Sequence, residues 1–356
     1  MLHSAETSGR HDGADDNTPS FLRLADLASA RLGGRAIAAN DDFFAPKSNL
    51  VKPDPPIFIP GKYTTRGKWM DGWESRRRRT PGHDWCIVQL AMRGRIRGVD
   101  VDTSFFTGNF PTHCWIEASD ASAAGERRDP VAAALRRGDF DAIAWTTILP
   151  KSPLRGDGHN YLAIESDRAW THLRLNIFPD GGVARLRVHG DAVVDWERVA
   201  PGNKVVDLAA LQNGGLVVAA SDVHYGAKDN MLMPGRARNM GDGWETRRRR
   251  GPGHDWAIVR LGTTGMISKI EIDTNHFKGN YPDSASIEGC LSPGATPEVL
   301  GVRRWVEVLP QTKLRPHTRH LFSKELRHRG PVSHVRLNIF PDGGVSRFRV
   351  HGSVAR

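Results

Sequence analysis

Residues Gly72–Trp85 read GWESRRRRTPGHDW, and Gly243–Trp256 read GWETRRRRGPGHDW. Two stretches this alike, 171 positions apart, mean that the chain folds as two like units rather than as one irregular body. The total of 356 residues is enough for two domains of ordinary size. Four consecutive arginines beside two acids and a histidine are a demanding surface to build. Building it twice points to a duplicated domain that handles something anionic.

The rest of the chain repeats as well. Asp26-Leu27-Ala28 matches Asp207-Leu208-Ala209, and Gly33-Gly34 matches Gly214-Gly215. The first copy is then longer, and the extra length falls in Val51–Tyr63, which holds four prolines. A loop insertion is expected there, not a core element. Cys86–Leu90 pairs with Ala257–Leu261, and Val99–Thr103 with Ile270–Thr274. Apolar residues alternating with acids have a period of two, so these are strands with one buried face. Trp145–Pro150 matches Trp305–Pro310, another strand closed by proline. Arg174–Val183 recurs almost unchanged as Arg336–Val345, and its Pro-Asp-Gly-Gly predicts a hairpin turn. On the outgoing strand Leu186 and Val188 take one face, and Arg185, Arg187 and His189 the other. The Ala- and Arg-rich stretch 120–141 reads as a short surface helix or a loop. Each copy is therefore strands and turns with little helix, which predicts an all-β chain of two tandem antiparallel sandwiches or barrels. The expected layout is a disordered arm over residues 1–19, repeats over 20–190 and 207–356, and a linker over 191–206.

The formal net charge of +10 suits a nucleic acid, an acidic membrane surface or a small anionic substrate. No run of about 18 apolar residues occurs, so no membrane span is expected. The N-terminal residues are polar and lack a signal pattern. Cys86, Cys114 and Cys290 face Ala257, Ala285 and Ser119 in the other copy, so no disulfide is built into the repeat. A reducing cytoplasm fits. No phosphate loop, nucleophile elbow or common nucleic-acid module is present. Aromatics do stand among the basic residues, which keeps single-stranded nucleic acid as a weaker reading.

In an extended segment alternate side chains point opposite ways, so Arg76 and Arg78 share a face, as do Arg247 and Arg249. One face can grip an anion through planar guanidinium forks while the other pairs with acids of the domain. A solvated charged strand or a structural ion-pair network accounts for the run equally well. Asp71, Glu74, His83 and Asp84, matched by Asp242, Glu245, His254 and Asp255, are the ingredients of an acid–base pair. The alternative is that His-Asp caps a turn and starts a strand. No His-x-His or Glu-x-x-His spacing occurs, so no metal site is assigned, and activation by a divalent metal is left open. Asp102-Thr103 with Asn109, and Asp273-Thr274 with Asn280, form a second polar cluster where turn chemistry competes with a site. Where the first copy has Phe43, Phe44 and Phe105, the second has His224, Tyr225 and His276. That divergence points to one catalytic copy or one composite site, with neutral drift as the alternative.

These motifs resemble those of the allantoicase (allantoate amidinohydrolase) family. The carriers are Asp-Gly-Trp-Glu-[Ser/Thr]-Arg-Arg-Arg-Arg, Gly-His-Asp-Trp, Asp-Thr…Phe-x-Gly-Asn and Arg-Leu-Asn-Ile-Phe-Pro-Asp-Gly-Gly-Val, over about residues 20 to 352. The resemblance implies two jelly-roll domains of galactose-binding-like architecture in a homo-oligomer. It also implies conversion of allantoate and water to ureidoglycolate and urea, with neither nucleic acid nor membrane as partner. Allantoate is a carboxylate whose α-carbon bears two ureido groups, so one ureido nitrogen can expel the other as urea. That route needs a carboxylate clamp, an acid and a base. The candidates are Arg76 and Arg78, or Arg247 and Arg249, as clamp, with Trp73, Trp244, Asn109 and Asn280 as further substrate contacts. Glu74 or Glu245 is the candidate base. His83, His254, His224 or His276, with Asp84 or Asp255 alongside, is the candidate acid. A jelly roll that only binds a small anion is the competing expectation.

Overall fold

The computed structural model describes residues 18–124 and 130–355, so the arm expected over residues 1–19 lies almost wholly outside the described residues. Backbone contacts gather into two compact units, one over Pro19–Val193 and one from Val194 onward. Each is built on one strand of 19 residues, Asp84–Asp102 in the first and Asp255–Asp273 in the second. The two segments that read as separate strands in each copy are thus the two ends of one.

In the first unit the near end of this strand lies between Arg35–Ala39 and Ala169–Phe178. Its far end lies between Arg185–Ala192 and Tyr161–Ala163. The strand therefore serves both sheets of a sandwich and bends between them. Register slips between Trp170 and His172 and between His189 and Gly190 mark the corner on its partners. Gly94 allows the bend, since a Cβ there would stand 2.5 Å from the Leu27 side chain. His113–Ser119 and Thr146–Pro153 widen the sheet beyond Ala169–Phe178. The alternating apolar residues meet inside, where Val88, Val99, Val101, Ile116, Leu175 and Val188 are fully buried. Each such side chain contributes roughly 1.5–3 kcal/mol by leaving water.

The second unit repeats the order. Its long strand lies between Leu216–Ala220 and Val332–Phe340 at one end, and between Arg347–Val354 and Arg319–Phe322 at the other. Ser284–Cys290 and Val306–Lys313 extend it. The architecture is all-β, one jelly-roll sandwich per repeat. In the Ala- and Arg-rich stretch, Pro130–Arg137 is a helix whose Val131 and Ala134 are buried against Ile87, while residues 125–129 lie outside the described set.

Arg185, expected on the face opposite Leu186 and Val188, is buried and only 1% exposed. Its guanidinium donates to Asp71 Oδ2 at 2.6 Å, to the Asp71 carbonyl at 2.8 Å and to the Asp54 carbonyl at 2.9 Å. Arg187 reaches the carbonyls of Lys52 and Pro53. The proline-rich insertion is therefore fastened to the sandwich by these two arginines, although it is a loop. Arg347 holds the corresponding shorter loop of the second repeat, donating to the Gly235 carbonyl at 2.9 Å and the Asp242 carbonyl at 2.6 Å.

Candidate active site

Three repeated motifs converge at one edge of the first sandwich. Trp73-Glu74 pairs with Gly182-Val183, so the Gly-Trp-Glu motif meets the Pro-Asp-Gly-Gly turn. The Gly182 N–H donates to the Asn109 carbonyl at 2.7 Å, which fastens the Gly-Asn turn to the same place. Gly181 has φ 131°, and a Cβ there would stand 2.5 Å from that carbonyl, so the turn demands glycine. With its backbone held, Asn109 donates from Nδ2 to Glu74 Oε1 at 2.6 Å.

A cleft of about 380 Å³ opens over this contact, walled by Phe44, Lys68, Met70, Glu74, Phe105 and Asn109. Burial raises the Glu74 carboxyl above the usual glutamate range, against the Asn109 hydrogen bond and the Lys68 charge, which both pull it down. Phe105 is held at φ 70°, with its N–H donating to Asp157 Oδ1 at 2.7 Å. Strained backbone of this kind gathers at functional sites. Phe58 stacks on Phe105 at 5.8 Å and carries the Lys68 ammonium 4.6 Å above its ring. Beside Phe44, the Phe43 ring has the guanidiniums of Arg66 and Arg76 each 5.1 Å away.

The second repeat builds the same contact, with Asn280 Nδ2 donating to Glu245 Oε1 at 2.5 Å. The surroundings differ. His224 Nδ1 accepts from Arg247 Nε at 3.2 Å. His276, at φ 70° like Phe105, donates from Nε2 to the Ala237 carbonyl at 2.9 Å and from its backbone N–H to His317 Nδ1 at 2.9 Å. Both of the extra histidines of this copy are engaged in local bonds.

The arginine run lies elsewhere on each repeat's bond network. The Arg78 N–H donates to Asp180 Oδ2 at 2.8 Å, and its Nη1 to Asp84 Oδ1 at 2.7 Å. Asn40 also donates to Asp84 Oδ1, at 2.8 Å. Arg249 repeats this with Asp342 and Asp255, and Ser221 takes the place of Asn40. Arg76 Nε donates to Asp41 Oδ2 at 2.6 Å and remains largely exposed. His83 Nε2 donates to Asn176 Oδ1 at 3.1 Å, while Asn176 Nδ2 and Arg174 both donate to Glu117. Glu74 and His83 have no hydrogen-bond partner in common. Among the described residues no group of three or more His, Cys, Asp or Glu side chains is placed to hold a metal ion.

The profile of the allantoicase repeat matches residues 25–193 and again residues 206–355. The chain belongs to the allantoicase family. A probable allantoicase of Burkholderia mallei is 51% identical over 344 residues, which cover 96% of this chain and 98% of that one. A probable allantoicase of Ralstonia nicotianae is 49% identical with the same coverage. The crystal structure of allantoicase from Saccharomyces cerevisiae is 35% identical and superposes with a TM-score of 0.75, covering 92% of this chain and 93% of its own.

Within these allantoicase repeats several candidates change role. Trp73 and Trp244 are completely buried, with Nε1 donating to the Asp41 and Asp222 carbonyls, so neither can touch a substrate. They are core struts under the Glu74 and Glu245 loops. Asp84 and Asp255 are buried and occupied by Arg78 and Arg249, which removes all four from free clamp or acid–base duty. Glu74 and Asn109 do come together, as do Glu245 and Asn280. Lys68 carries no signal in the repeat comparison, because it follows the insertion that only the first copy has. The one available hint is that Gly67-Lys68 stands just downstream of an insertion unique to one copy.

Proposed function

We propose that this chain hydrolyses allantoate to ureidoglycolate and urea, and that the reaction takes place in the Glu74 cleft of the first repeat. The observation that carries the assignment is a half-buried carboxyl, raised by its apolar walls, with a cation at its mouth. Lys68, which lines the cleft, supplies a positive charge suited to the substrate carboxylate. Glu74 takes the N–H proton of the retained ureido group as the bond from the α-carbon to the other ureido nitrogen breaks. It passes that proton to the departing nitrogen, and urea leaves. The C=N bond left behind accepts water at carbon, with Glu74 now taking the water proton and returning it to nitrogen. A carboxyl held above the usual glutamate range by burial is better suited to return the proton it takes. Asn109 fixes which oxygen faces the substrate.

The same reading has the chain act as a homo-oligomer in the cytoplasm. Its three cysteines are buried free thiols, which supports a reducing compartment. No helix among the described residues is long and apolar enough to cross a membrane.

Urea release from Glu74→Gln, Glu245→Gln and Lys68→Met tests the assignment. Glu74→Gln loses about 10²–10⁴-fold in kcat, the usual worth of a general base. Lys68→Met raises KM more than it lowers kcat, and Glu245→Gln stays close to wild type. Wild-type turnover in Glu74→Gln would remove the first repeat from the chemistry.

A further inference from the structure

The second repeat keeps open a cleft at a position that the first repeat fills with a tryptophan. It measures about 410 Å³ and is lined by His254, Trp256, Ser286, Glu288, Asn338 and Phe340. At the position of Ser286 the first repeat has Trp115, whose ring stacks on Phe178 at 6.3 Å and stands 5.8 Å from His83. There the amide oxygen of Asn176 accepts from His83 Nε2 at 3.1 Å. Its counterpart Asn338 has no such donor. Asn338 Nδ2 donates to Glu288 Oε2 at 2.8 Å and to Ser286 Oγ at 3.2 Å, which fixes the amide with its oxygen turned away from the carboxylate. Asn338 is 4% exposed, and its Oδ1 is buried without a hydrogen-bond partner. A buried amide oxygen without a donor is a standing deficit that an incoming N–H group removes.

We propose that this cleft is a second binding site, distinct from the Glu74 cleft, for a small neutral ureido group. The orphan oxygen calls for an N–H donor rather than an anion. Both carboxylates at the cleft are already matched, Glu288 by Arg336 at 2.6 Å and Glu307 by Arg327 at 2.5 Å, so the ligand need bring no charge. The wall is aromatic, with the His254 ring 4.6 Å from Phe340 and tilted 34° to it, and such ring faces favour a planar group. The assignment requires only that the reaction take place outside this cleft, whether or not Glu74 is its base.

The test uses the full chain labelled with 5-fluorotryptophan and titrated with N-ethylurea, following the Trp256 signal assigned through Trp256→Phe. The Trp256 signal shifts saturably, and the Trp85 signal, its counterpart in the first repeat, does not. Ser286→Leu, which fills the cleft, weakens binding at least about tenfold, as loss of a well-made polar contact and its space requires, and leaves urea release at wild-type level. Ser286→Trp recreates the side chain of the first repeat and serves as the second variant if the leucine chain does not fold. No saturable shift, or an unchanged midpoint in the filled variant, overturns the site. Loss of urea release together with binding also overturns it, because the cleft would then be the reaction centre. Failure of the Glu74 assignment is read separately, from Glu74→Gln.

Discussion

Replacing Asn109 by alanine perturbs Glu74 without removing it. The amide donates to Glu74 Oε1 at 2.6 Å, and a donor there stabilises the carboxylate and not the neutral acid. Hydrogen bonds to charged groups contribute about 1.5–3 kcal/mol, and the exposure of Asn109 argues for the lower end. At 1.36 kcal/mol per pH unit, losing that contact moves the ionisation of Glu74 upward by about one unit. Burial already holds this carboxyl above the usual range, so the shift adds to an existing one in the same direction. The proposed reaction needs Glu74 ionised at its start. The acidic limb of kcat/KM for urea release in Asn109→Ala therefore moves to higher pH by about one unit, while the plateau at higher pH keeps most of its height. Asn280→Ala, which makes the matching change beside Glu245, leaves the profile in place. An unmoved acidic limb in Asn109→Ala, or an equal movement in Asn280→Ala, refutes the assignment of the base to the first repeat.

Arg185→Met leaves Asp71 and several carbonyls without their buried donor, and breaking such a pair costs about 3–5 kcal/mol. Lys52 still holds Asp71 at 2.8 Å, so the lower end is expected in guanidinium chloride unfolding, and a loss of under about 1 kcal/mol contradicts the fastening role. Acid stability of the second repeat depends on Glu271. Burial works against its charge, but His351 at 3.8 Å and Arg319 at 2.6 Å outweigh it and lower the carboxyl to about 2. The folded value lies below the unfolded one, so the stabilisation is complete above the usual glutamate range and fades as pH falls toward about 2. Allowing for the half-exposed Arg319, it amounts to about 2 kcal/mol. Acid unfolding of Glu271→Gln should accordingly show a flatter pH dependence than wild type, and identical curves reject the pairing.

The duplication made the architecture legible, because each shared segment is a strand or a turn and the period of two survives in both copies. The corner in the long strand was not legible. Glycines and bulges there look like the end of one strand and the start of another, and only the partners on either side reveal a single one. The arginine run misled for a related reason. Alternation says nothing about which face finds acids, and of the partners Asp84 is six positions from Arg78 while Asp41 and Asp180 are 35 and 102 positions from the arginines they bind. Glu74 and Asn109 were each readable as polar residues beside turns. Their contact was not, since it depends on a ladder closed by Gly182. Lys68 was invisible to any comparison between copies.

That ladder has a consequence for biosynthesis. Ser75 and Gly181, 106 positions apart, are joined by hydrogen bonds in both directions beside Glu74. A nascent chain that has emerged only as far as Phe178 already contains Glu74, Lys68 and Asn109, yet lacks the segment that clasps them. Contacts so remote in sequence form slowly and late. With Glu74 as the proposed base, competence to turn over substrate is withheld until the first repeat has been synthesised through its closing strand, and activity gained during translation is expected to report the completion of that repeat rather than its beginning.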